Sequence, residues 1–251
     1  MKDYQATVVK NAEIAKNIWE ITFRLNEEAN VRPGQFGAIL VGGTHLLRRP
    51  IAVCKADGNE VTFCYQIKGD GTKKLKETGA GNVLSVLMPL GNGFFVEENE
   101  QKVALVGGGV GIFPLVSVVR AYADKKEISS FIGFRNKDAV CAVDEFEKSA
   151  KFVAVTDDGS YGEKMNSVQA FEKALAEGYR PDVILSCGPT PMLRALKAVA
   201  VRENIPCYVS LEERMGCGIG ACLVCVCNLT NGARARVCKD GPVFNATDVE
   251  L

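Results

Sequence analysis

The chain has 251 residues, enough for one large domain or two of ordinary size. Hydrophobic residues make up 47% and charged residues 24%, which predicts a chain that buries a proper core. Lys plus Arg and Asp plus Glu each number 30, and this balance gives no reason to expect nucleic acid or an anionic membrane surface as a partner. The N-terminal stretch MKDYQATVVK has no apolar core of a secretory signal, so none is predicted.

Residues 1–98 have the pattern of an all-β domain. Short runs that are β-branched or alternate in polarity are separated by turn residues, as in RPGQ and DGNE. The runs are NIWEITFRL, QFGAILV, IAVCKA, EVTFCYQI and NVLSVLMPL. Many short strands with regular turns predict a small barrel or sandwich. The segment KGDGTKKLKETGAG interrupts them with glycines and a short helical pattern.

From residue 99 onward, strands and helices alternate. The predicted strands are VALV, SSFIGF, FVAVTD, DVILSC and CYVSLE, and the predicted helices are GIFPLVSVVRAYADKK, SVQAFEKALAEG and PMLRALKAVAVREN. Because the strands are continuous apolar runs, they predict a parallel sheet covered on both faces. Residues 103–123 could mimic a membrane span, but four glycines, Pro114 and Arg120 interrupt them. A buried strand followed by a buried helix explains this stretch better, and no membrane association is predicted.

Two strand-to-helix turns in this region have the composition of phosphate-binding loops. The first turn contains Gly107, Gly108, Gly109 and Gly111, and the second contains Cys187, Gly188 and Pro189. Glycines let a phosphate approach the backbone, and the helix start offers free N–H groups. Ligands of open parallel sheets bind beyond the carboxyl ends of the strands, so the two turns could hold two ends of one ligand. The alternative is structural, because tight turns need glycine and proline suits a first helical turn.

The ten cysteines are unevenly distributed, and four fall within the eleven residues CGIGACLVCVC. Without a secretory signal a reducing compartment is expected, which argues against a disulfide framework. Clustered cysteines in such a chain indicate metal or redox chemistry. Cys54, Cys64 and Cys141 lie inside apolar runs instead, and we interpret them as small core residues.

The spacing Cys217-x4-Cys222-x2-Cys225, followed by Cys238, matches plant-type [2Fe–2S] ligation. Zinc usually takes paired knuckles of two cysteines. Cys222 and Cys225 could form one knuckle, but the second is missing, so the spacing favours the cluster. Cys227 is then predicted to be spare, although Cys225 and Cys227 would share one face of a strand and direction alone does not separate them.

The stretch RPIA, residues 49–52, resembles the Arg-Pro-x-Ser/Thr flavin signature of the ferredoxin–NADP reductase superfamily, and GGGVGIFPL and CGPTPML resemble its two nicotinamide motifs. The resemblance implies a multidomain β plus α/β fold: a flavin-binding antiparallel β-barrel followed by a doubly wound parallel-sheet NAD-binding domain. The FAD contacts it implies are Arg49 at the pyrophosphate, Pro50, Ile51 and Ala52 along the flavin, Cys64, Tyr65 and Gln66 on the neighbouring strand, and Gly71 and Thr72 as phosphate donors. Ala52 departs from the usual Ser or Thr, which puts a side-chain hydrogen bond at flavin N5 in doubt.

The cysteine stretch narrows the resemblance. SLEERMGCGIGAC followed by VCKDGPVF is similar to the electron-transfer subunits of type B, NAD-dependent dihydroorotate dehydrogenases. That family implies FAD, NAD and one [2Fe–2S] cluster, with 1–98, 99–212 and 213–251 as the FAD, NAD and cluster domains. It also implies a cytoplasmic hetero-oligomer, two copies of each chain, with an FMN-containing catalytic subunit that oxidises dihydroorotate in pyrimidine biosynthesis.

Two other functions stay open on the sequence. One is the small subunit of an NADH-dependent ferredoxin–NADP oxidoreductase or a sulfide dehydrogenase, and the other is a regulatory module that binds nucleotide and zinc without catalysis. No acid–base catalytic residue is predicted, since a carrier of electrons needs none. Arg135 could meet a 2′-phosphate or be an exposed charge, so the residues do not decide between NAD and NADP.

Overall fold

The computed structural model describes all residues from 1 to 251. Its N-terminal part is a closed barrel of six antiparallel strands. The strands are β1 (Lys2–Ala15), β2 (Ile18–Arg24), β3 (Phe36–Leu40), β4 (Arg49–Asp57), β5 (Glu60–Gln66) and β6 (Val83–Leu90), with α1 (Asp70–Lys76) between β5 and β6. They close in the order β1-β2-β5-β4-β3-β6, which confirms the predicted antiparallel barrel. None of the helices in the chain has the length and apolar character needed to span a bilayer.

The barrel interior follows the two-residue alternation of its strands. On β1, Tyr4, Ala6 and Val8 are buried while the residues between them are more exposed. Phe23 and Phe63 are fully buried and meet edge to face, with ring centroids 5.9 Å apart. The sequence analysis did not identify β1, although its alternation was legible in DYQATVV.

The second part is a six-stranded sheet in the order β14-β11-β10-β7-β8-β9. Its strands are β7 (Lys102–Gly108), β8 (Glu127–Phe134), β9 (Lys151–Thr156), β10 (Val183–Cys187), β11 (Cys207–Ser210) and β14 (Val243–Asn245). The helices are α2 (Phe113–Tyr122), α3 (Val143–Phe146), α4 (Ser167–Ala176) and α5 (Thr190–Glu203). All neighbouring strands are parallel except β14, which runs antiparallel to β11 at one edge.

Helices cover both faces of this sheet. On the central strand β7, Val103 and Leu105 pack with the residues of α2, whereas Ala104 and Val106 pack with α4 and α5. A strand buried on both faces is apolar at nearly every position, and this explains the continuous run VALV. The predicted doubly wound architecture is therefore confirmed.

The cysteine-rich end of the chain forms a small lobe. It contains the hairpin of β12 (Val226–Asn228) and β13 (Arg234–Arg236). The chain then adds β14 to the sheet of the α/β part, so the lobe is tied to that part by a strand as well as by covalent connection. The predicted domain boundaries did not anticipate this shared strand.

Charged side chains join the barrel to the α/β part next to α2, which packs against β4. The side chain of Glu145 is only 7% exposed. It forms salt bridges with Lys55 of β4 (3.4 Å), Arg120 of α2 (3.2 Å) and Lys148 (2.6 Å). Arg120 also pairs with Asp57 at the end of β4, at 2.7 Å. Each part thus supplies charges to one network, which helps to fix the orientation of the barrel on the sheet.

Candidate functional site

A cavity of about 560 Å³ lies between the barrel and the α/β part. Seven of the nine predicted flavin residues line it: Pro50, Ile51 and Ala52 of β4, Cys64, Tyr65 and Gln66 of β5, and Thr72 of α1. The opposite wall contains Phe113 and Pro114, which begin α2, and residues 210–215. The structure therefore brings the residues of the predicted flavin signature together around one largely apolar space, as expected for an organic cofactor.

Arg49 and Gly71, the other two predicted flavin residues, lie against each other. A Cβ atom at Gly71 would sit 1.8 Å from Nε of Arg49, so glycine is required for the guanidinium to cross the start of α1. The Thr72 hydroxyl accepts hydrogen bonds from the N–H groups of Lys68 (3.0 Å) and Gly69 (3.1 Å) and donates to the Gly69 carbonyl (2.9 Å). This hydroxyl is therefore engaged within its own turn, whereas the prediction has it donating to phosphate.

Ala52 and Cys64 place neutral side chains on the wall of the first cavity, which is called the flavin cavity from here on. A hydrogen bond with the Cys54 thiol, together with burial, raises the pKa of Cys64, so this thiol is neutral at physiological pH. Ala52 contributes a methyl group where the resembling family has a hydroxyl. The wall at this point can pack against a ring but offers no side-chain proton of low pKa.

A second cavity, also of about 560 Å³, opens along the carboxyl edge of the sheet. It is lined by the glycine turn at Gly108, Gly109 and Gly111 and by the second turn at Gly188 and Pro189. The two cavities share the lining residues Gln66, Lys68, Val110, Gly111, Cys187 and Glu212. They adjoin, so ligands in the two cavities can touch.

The two turns pack too closely for side chains at several positions. A Cβ atom at Gly111 would lie 2.6 Å from Cα of Gly188, and one at Gly107 would lie 2.8 Å from Cδ1 of Leu115. Gly109 differs, because its φ of +55° favours glycine but its Cβ direction meets nothing within 4 Å. Gly109 therefore faces the open cavity, which suits close approach of a phosphate. A 3-10 turn at Gly109–Ile112 precedes α2, so α2 starts later than predicted.

Cys187 sits where the two cavities meet. Burial raises the pKa of its thiol to about 12, and the negative charge of Glu212 acts in the same direction. The thiol is neutral at physiological pH and is not a nucleophile or a base. Its position, small size and neutrality fit a contact surface for stacked rings.

Residues 217–225 form the cysteine loop, in which backbone N–H groups donate hydrogen bonds to the sulfur atoms. Sγ of Cys217 accepts from Ala221 (3.3 Å), Cys222 (3.4 Å) and Ile219 (3.5 Å). The N–H of Cys217 donates to Sγ of Cys222 at 3.3 Å. The N–H of Ile219 in particular lowers the pKa of Cys217, to about 6, and so favours the thiolate that a metal requires.

The remaining predicted ligands form a second pair. The N–H of Cys238 donates to Sγ of Cys225 at 3.4 Å, and Sγ of Cys238 accepts from Gly220 at 3.1 Å. Gly220 has a φ of +84°, which turns its N–H toward the sulfur.

The donor set fits a two-iron cluster better than a single ion. An N–H···S hydrogen bond links Cys217 to Cys222 and another links Cys238 to Cys225, so the four residues form two pairs. Tetrahedral zinc needs four donors on one centre, whereas a [2Fe–2S] cluster takes four thiolates across two irons.

Cys227 belongs to the same apolar cluster as Cys225 and Cys238 but has a different backbone partner. It lies on β12 opposite Ala235 and is buried in the apolar core of the lobe. Burial raises the pKa of its thiol, as it does for the proposed ligand Cys238, so the pKa does not separate Cys227 from the ligands. This position is consistent with the prediction that Cys227 is not a ligand.

Sequence reasoning missed several residues that line the flavin cavity, among them Phe36, Pro242 and Glu212. Glu212 had a usable signal, because it stands in the quoted motif SLEERMGC just after a strand. Pro242 had the same kind of signal, because it stands in the quoted motif VCKDGPVF. Phe36 had none, since its role depends on the packing of distant segments.

The barrel with its cavity, the sheet with its glycine-lined cleft and the cysteine lobe define a flavin- and nucleotide-dependent oxidoreductase with an iron–sulfur centre. Residues 105–198 match the family model described as the oxidoreductase NAD-binding domain. Residues 212–250 match the model described as the iron–sulfur cluster binding domain of dihydroorotate dehydrogenase B. The chain belongs to the family of dihydroorotate dehydrogenase B (NAD(+)) electron-transfer subunits.

The relatives that establish the family match over the full length. The electron-transfer subunit from Geobacillus sp. (strain WCH70) is 42% identical and covers 100% of both chains. The subunit from Caldanaerobacter subterraneus subsp. tengcongensis is 38% identical over 98% of this chain and 97% of its own.

Solved structures support the same architecture. A chain from the structure of an NADH-dependent reduced ferredoxin–NADP oxidoreductase superimposes with a TM-score of 0.86 at 28% identity, over 98% of this chain and 90% of that one. The cytochrome b5 reductase domain of Ulva prolifera nitrate reductase has a TM-score of 0.68 at 18% identity, over 81% of this chain and 94% of that one, and shares the fold alone.

Proposed function

We propose that the chain carries electrons between a dihydroorotate-oxidising partner and NAD through a FAD held in the flavin cavity and a [2Fe–2S] cluster held by the cysteine loop. The observation that supports this proposal most is that the flavin cavity adjoins both the glycine-lined cleft and the cysteine loop. The flavin cavity shares six lining residues with the glycine-lined cleft and is also lined by residues 213–215, immediately before the cysteine loop. A flavin exchanges two electrons with nicotinamide and one with an iron–sulfur cluster, so it belongs between the two.

The barrel residues are proposed to hold and orient the FAD. Arg49, fixed across Gly71, is proposed to neutralise the FAD pyrophosphate, for which a planar guanidinium is well suited. Pro50 to Ala52 and Cys64 to Gln66 are proposed to pack along the flavin ring. Exclusion of water by this apolar lining would protect the reduced ring from side reactions.

The sheet residues are proposed to hold the nicotinamide dinucleotide. Its phosphates fit the open face of Gly109 and the backbone N–H groups that follow it, and its nicotinamide end fits near Cys187 and Glu212, where the cavities meet. Arg135 and Lys16 also line this cleft, so the site could tolerate a 2′-phosphate; the relatives are named for NAD(+).

The partner is proposed to dock at the cysteine loop. Three apolar side chains around the cysteines are exposed: Ile219 (41%), Leu223 (62%) and Val224 (56%). A group of exposed apolar side chains is typical of a surface that binds a partner. The predicted partner is an FMN-containing dihydroorotate dehydrogenase subunit, two copies of each chain forming the complex. A cytoplasmic location is proposed because none of the ten cysteines forms a disulfide, as is usual in reducing compartments.

The purified chain tests this proposal directly. We expect an absorption spectrum of flavin plus [2Fe–2S] cluster, one FAD and two irons per chain, and NADH oxidation with artificial acceptors but none of dihydroorotate. Zinc without flavin colour would instead support a regulatory nucleotide-binding module, and unaided turnover of dihydroorotate would contradict the carrier role.

A further inference from the structure

A short segment joins the cysteine loop to the wall of the flavin cavity. Cys238, a proposed cluster ligand, is followed by residues 239–243, and Pro242 within this segment lines the cavity. Leu211, which lines the same cavity, donates its N–H to the Pro242 carbonyl at 2.9 Å. Movement of this segment would therefore displace the cluster ligand and the cavity wall together.

Phe36 completes the wall between the two sites. It is 4% exposed, lines the flavin cavity and pairs in register with Ala52. It also belongs to the same apolar cluster as Cys225 and Cys238. Phe36 thus belongs both to the lining of the flavin cavity and to the apolar cluster that contains two of the proposed ligands.

Asn92, in the turn after β6, attaches this segment to the barrel. Its Nδ2 donates to the carbonyls of Val243 (2.8 Å) and Asp240 (3.3 Å), and its Oδ1 accepts from the Val243 N–H (3.1 Å). Its own N–H donates to the Gly241 carbonyl at 2.7 Å. One residue therefore makes four hydrogen bonds to residues 240–243.

The neighbouring glycine brings the turn into direct contact with the wall. A Cβ atom at Gly91 would lie 2.4 Å from Cδ of Pro242 and 3.1 Å from Cε1 of Phe36, and its φ is +77°. Gly91 therefore packs against Pro242 and Phe36 with no room for a side chain.

We propose that Asn92 is a positioning residue that fixes the separation between the flavin cavity and the four-cysteine site. The inference rests on the proposed placement of FAD and cluster. The step that depends on this separation moves one electron from the reduced flavin to the oxidised cluster, and no bond forms or breaks. A site that is held about 1 Å too loosely loses rate even when every group is present.

Asn92→Ala in the holo chain tests the inference, with Asn82→Ala as the matched control. Asn82 lies in the same barrel, and its Nδ2 donates to Gly79 (2.9 Å) within its own turn. Asn92→Asp provides a second variant of equal size, which keeps the acceptor for Val243 N–H but loses both donors. FAD and iron content, hydrogen exchange of the amides of residues 239–243, and the rate of cluster reduction by rapid-freeze EPR are measured for each.

We expect both Asn92 variants to keep FAD and iron and to be reduced by NADH at the wild-type rate. Exchange at 239–243 should accelerate, and cluster reduction should slow several-fold, because electron transfer slows as the separation between two redox centres grows. The control should match the wild type. An unchanged rate of cluster reduction, or loss of FAD or iron in both variants, would overturn the inference. Absence of FAD or iron from the wild-type chain would instead refute the proposed function.

Discussion

Cys225 and Cys227 are the two candidates for the third cluster ligand, and the contacts of single residues distinguish them. Both are buried and two positions apart, so neither strand direction nor burial separates them. The backbone does: the N–H of Cys238 reaches Sγ of Cys225 at 3.4 Å, whereas Cys227 lies opposite Ala235 in the hairpin. The spacing of the motif also favours Cys225, and its assignment as a ligand stays a prediction.

Cys225→Ser is expected to remove or shift the visible spectrum of the cluster and to lower the iron content, since an alkoxide is a poorer ligand than a thiolate for iron of this kind. Cys227→Ser is the matched control and should keep both. Iron analysis and absorption spectra measure the difference between the two variants. The reverse pattern, with iron kept in the Cys225 variant and lost in the Cys227 variant, would refute the assignment.

Gly71 offers a second test at the scale of one residue. Gly71→Ala places a methyl group 1.8 Å from Nε of Arg49, so the guanidinium must move and FAD should be retained more weakly. Gly69→Ala is the control, since a Cβ there meets nothing within 4 Å in the same turn. Flavin content after dialysis is the measurement, and equal retention in both variants would show that Arg49 is not a phosphate ligand.

At the scale of elements, local signals predicted most of the strands and helices, and long-range pairing accounts for what was missed. β1 carried a readable alternation at Tyr4, Ala6 and Val8. β14 is only three residues long, Val243–Asn245, and becomes a strand because β11 offers an open edge. The tight fit of Gly91 against Pro242 depends likewise on chain segments about 150 residues apart, which no local pattern can report.

The glycine turn between β7 and α2 is the element on which nucleotide binding depends. Gly109→Val should add a branched side chain to the open cleft and force a φ of +55° on a residue that resists it, so NADH should reduce the flavin much more slowly. Gly178→Val, at a φ of +96° with an equally open Cβ direction beyond α4, controls for backbone strain.

Stopped-flow reduction of the flavin by NADH measures the difference between these variants. A folded Gly109→Val chain that is reduced at the rate of the Gly178 control would refute the nicotinamide site.

At the scale of the whole molecule, the barrel, sheet and lobe must hold fixed positions if electrons are to pass between them. The Glu145 network crosses the barrel–sheet junction. Burial alone would raise the pKa of Glu145, but a hydrogen bond from Lys148 and the charges of Lys55 and Arg120 outweigh it, so its pKa is lowered from an ordinary value of 4.5. The ionised carboxylate therefore stabilises the folded chain.

Glu145→Gln should reduce the free energy of unfolding by about 2–3 kcal/mol at neutral pH, less than the roughly 3–5 kcal/mol of a fully buried pair because the cations are partly exposed. A folded-state pKa below 4.5 means that this contribution is complete above pH 4.5 and is lost as the pH falls through the lowered value. The difference between wild type and variant should therefore narrow in acid.

Urea unfolding at several pH values measures this difference. Glu163→Gln, which breaks the exposed pair with Lys173, is the control and should cost less. Equal losses in the two variants, or a difference that widens in acid, would contradict the role given to Glu145.

The most direct test of the electron-carrier function mixes the holo chain with an FMN-bearing dihydroorotate dehydrogenase subunit and follows NADH formation when dihydroorotate and NAD are added. The two chains should co-elute, and NADH should form only when both are present and when the cysteine loop carries its cluster. Replacement by a Cys225→Ser chain should abolish the coupling, and replacement by a Cys227→Ser chain should leave it intact. Formation of NADH without this chain, or coupling to ferredoxin and NADP with a different large subunit in place of dihydroorotate and NAD, would contradict the account.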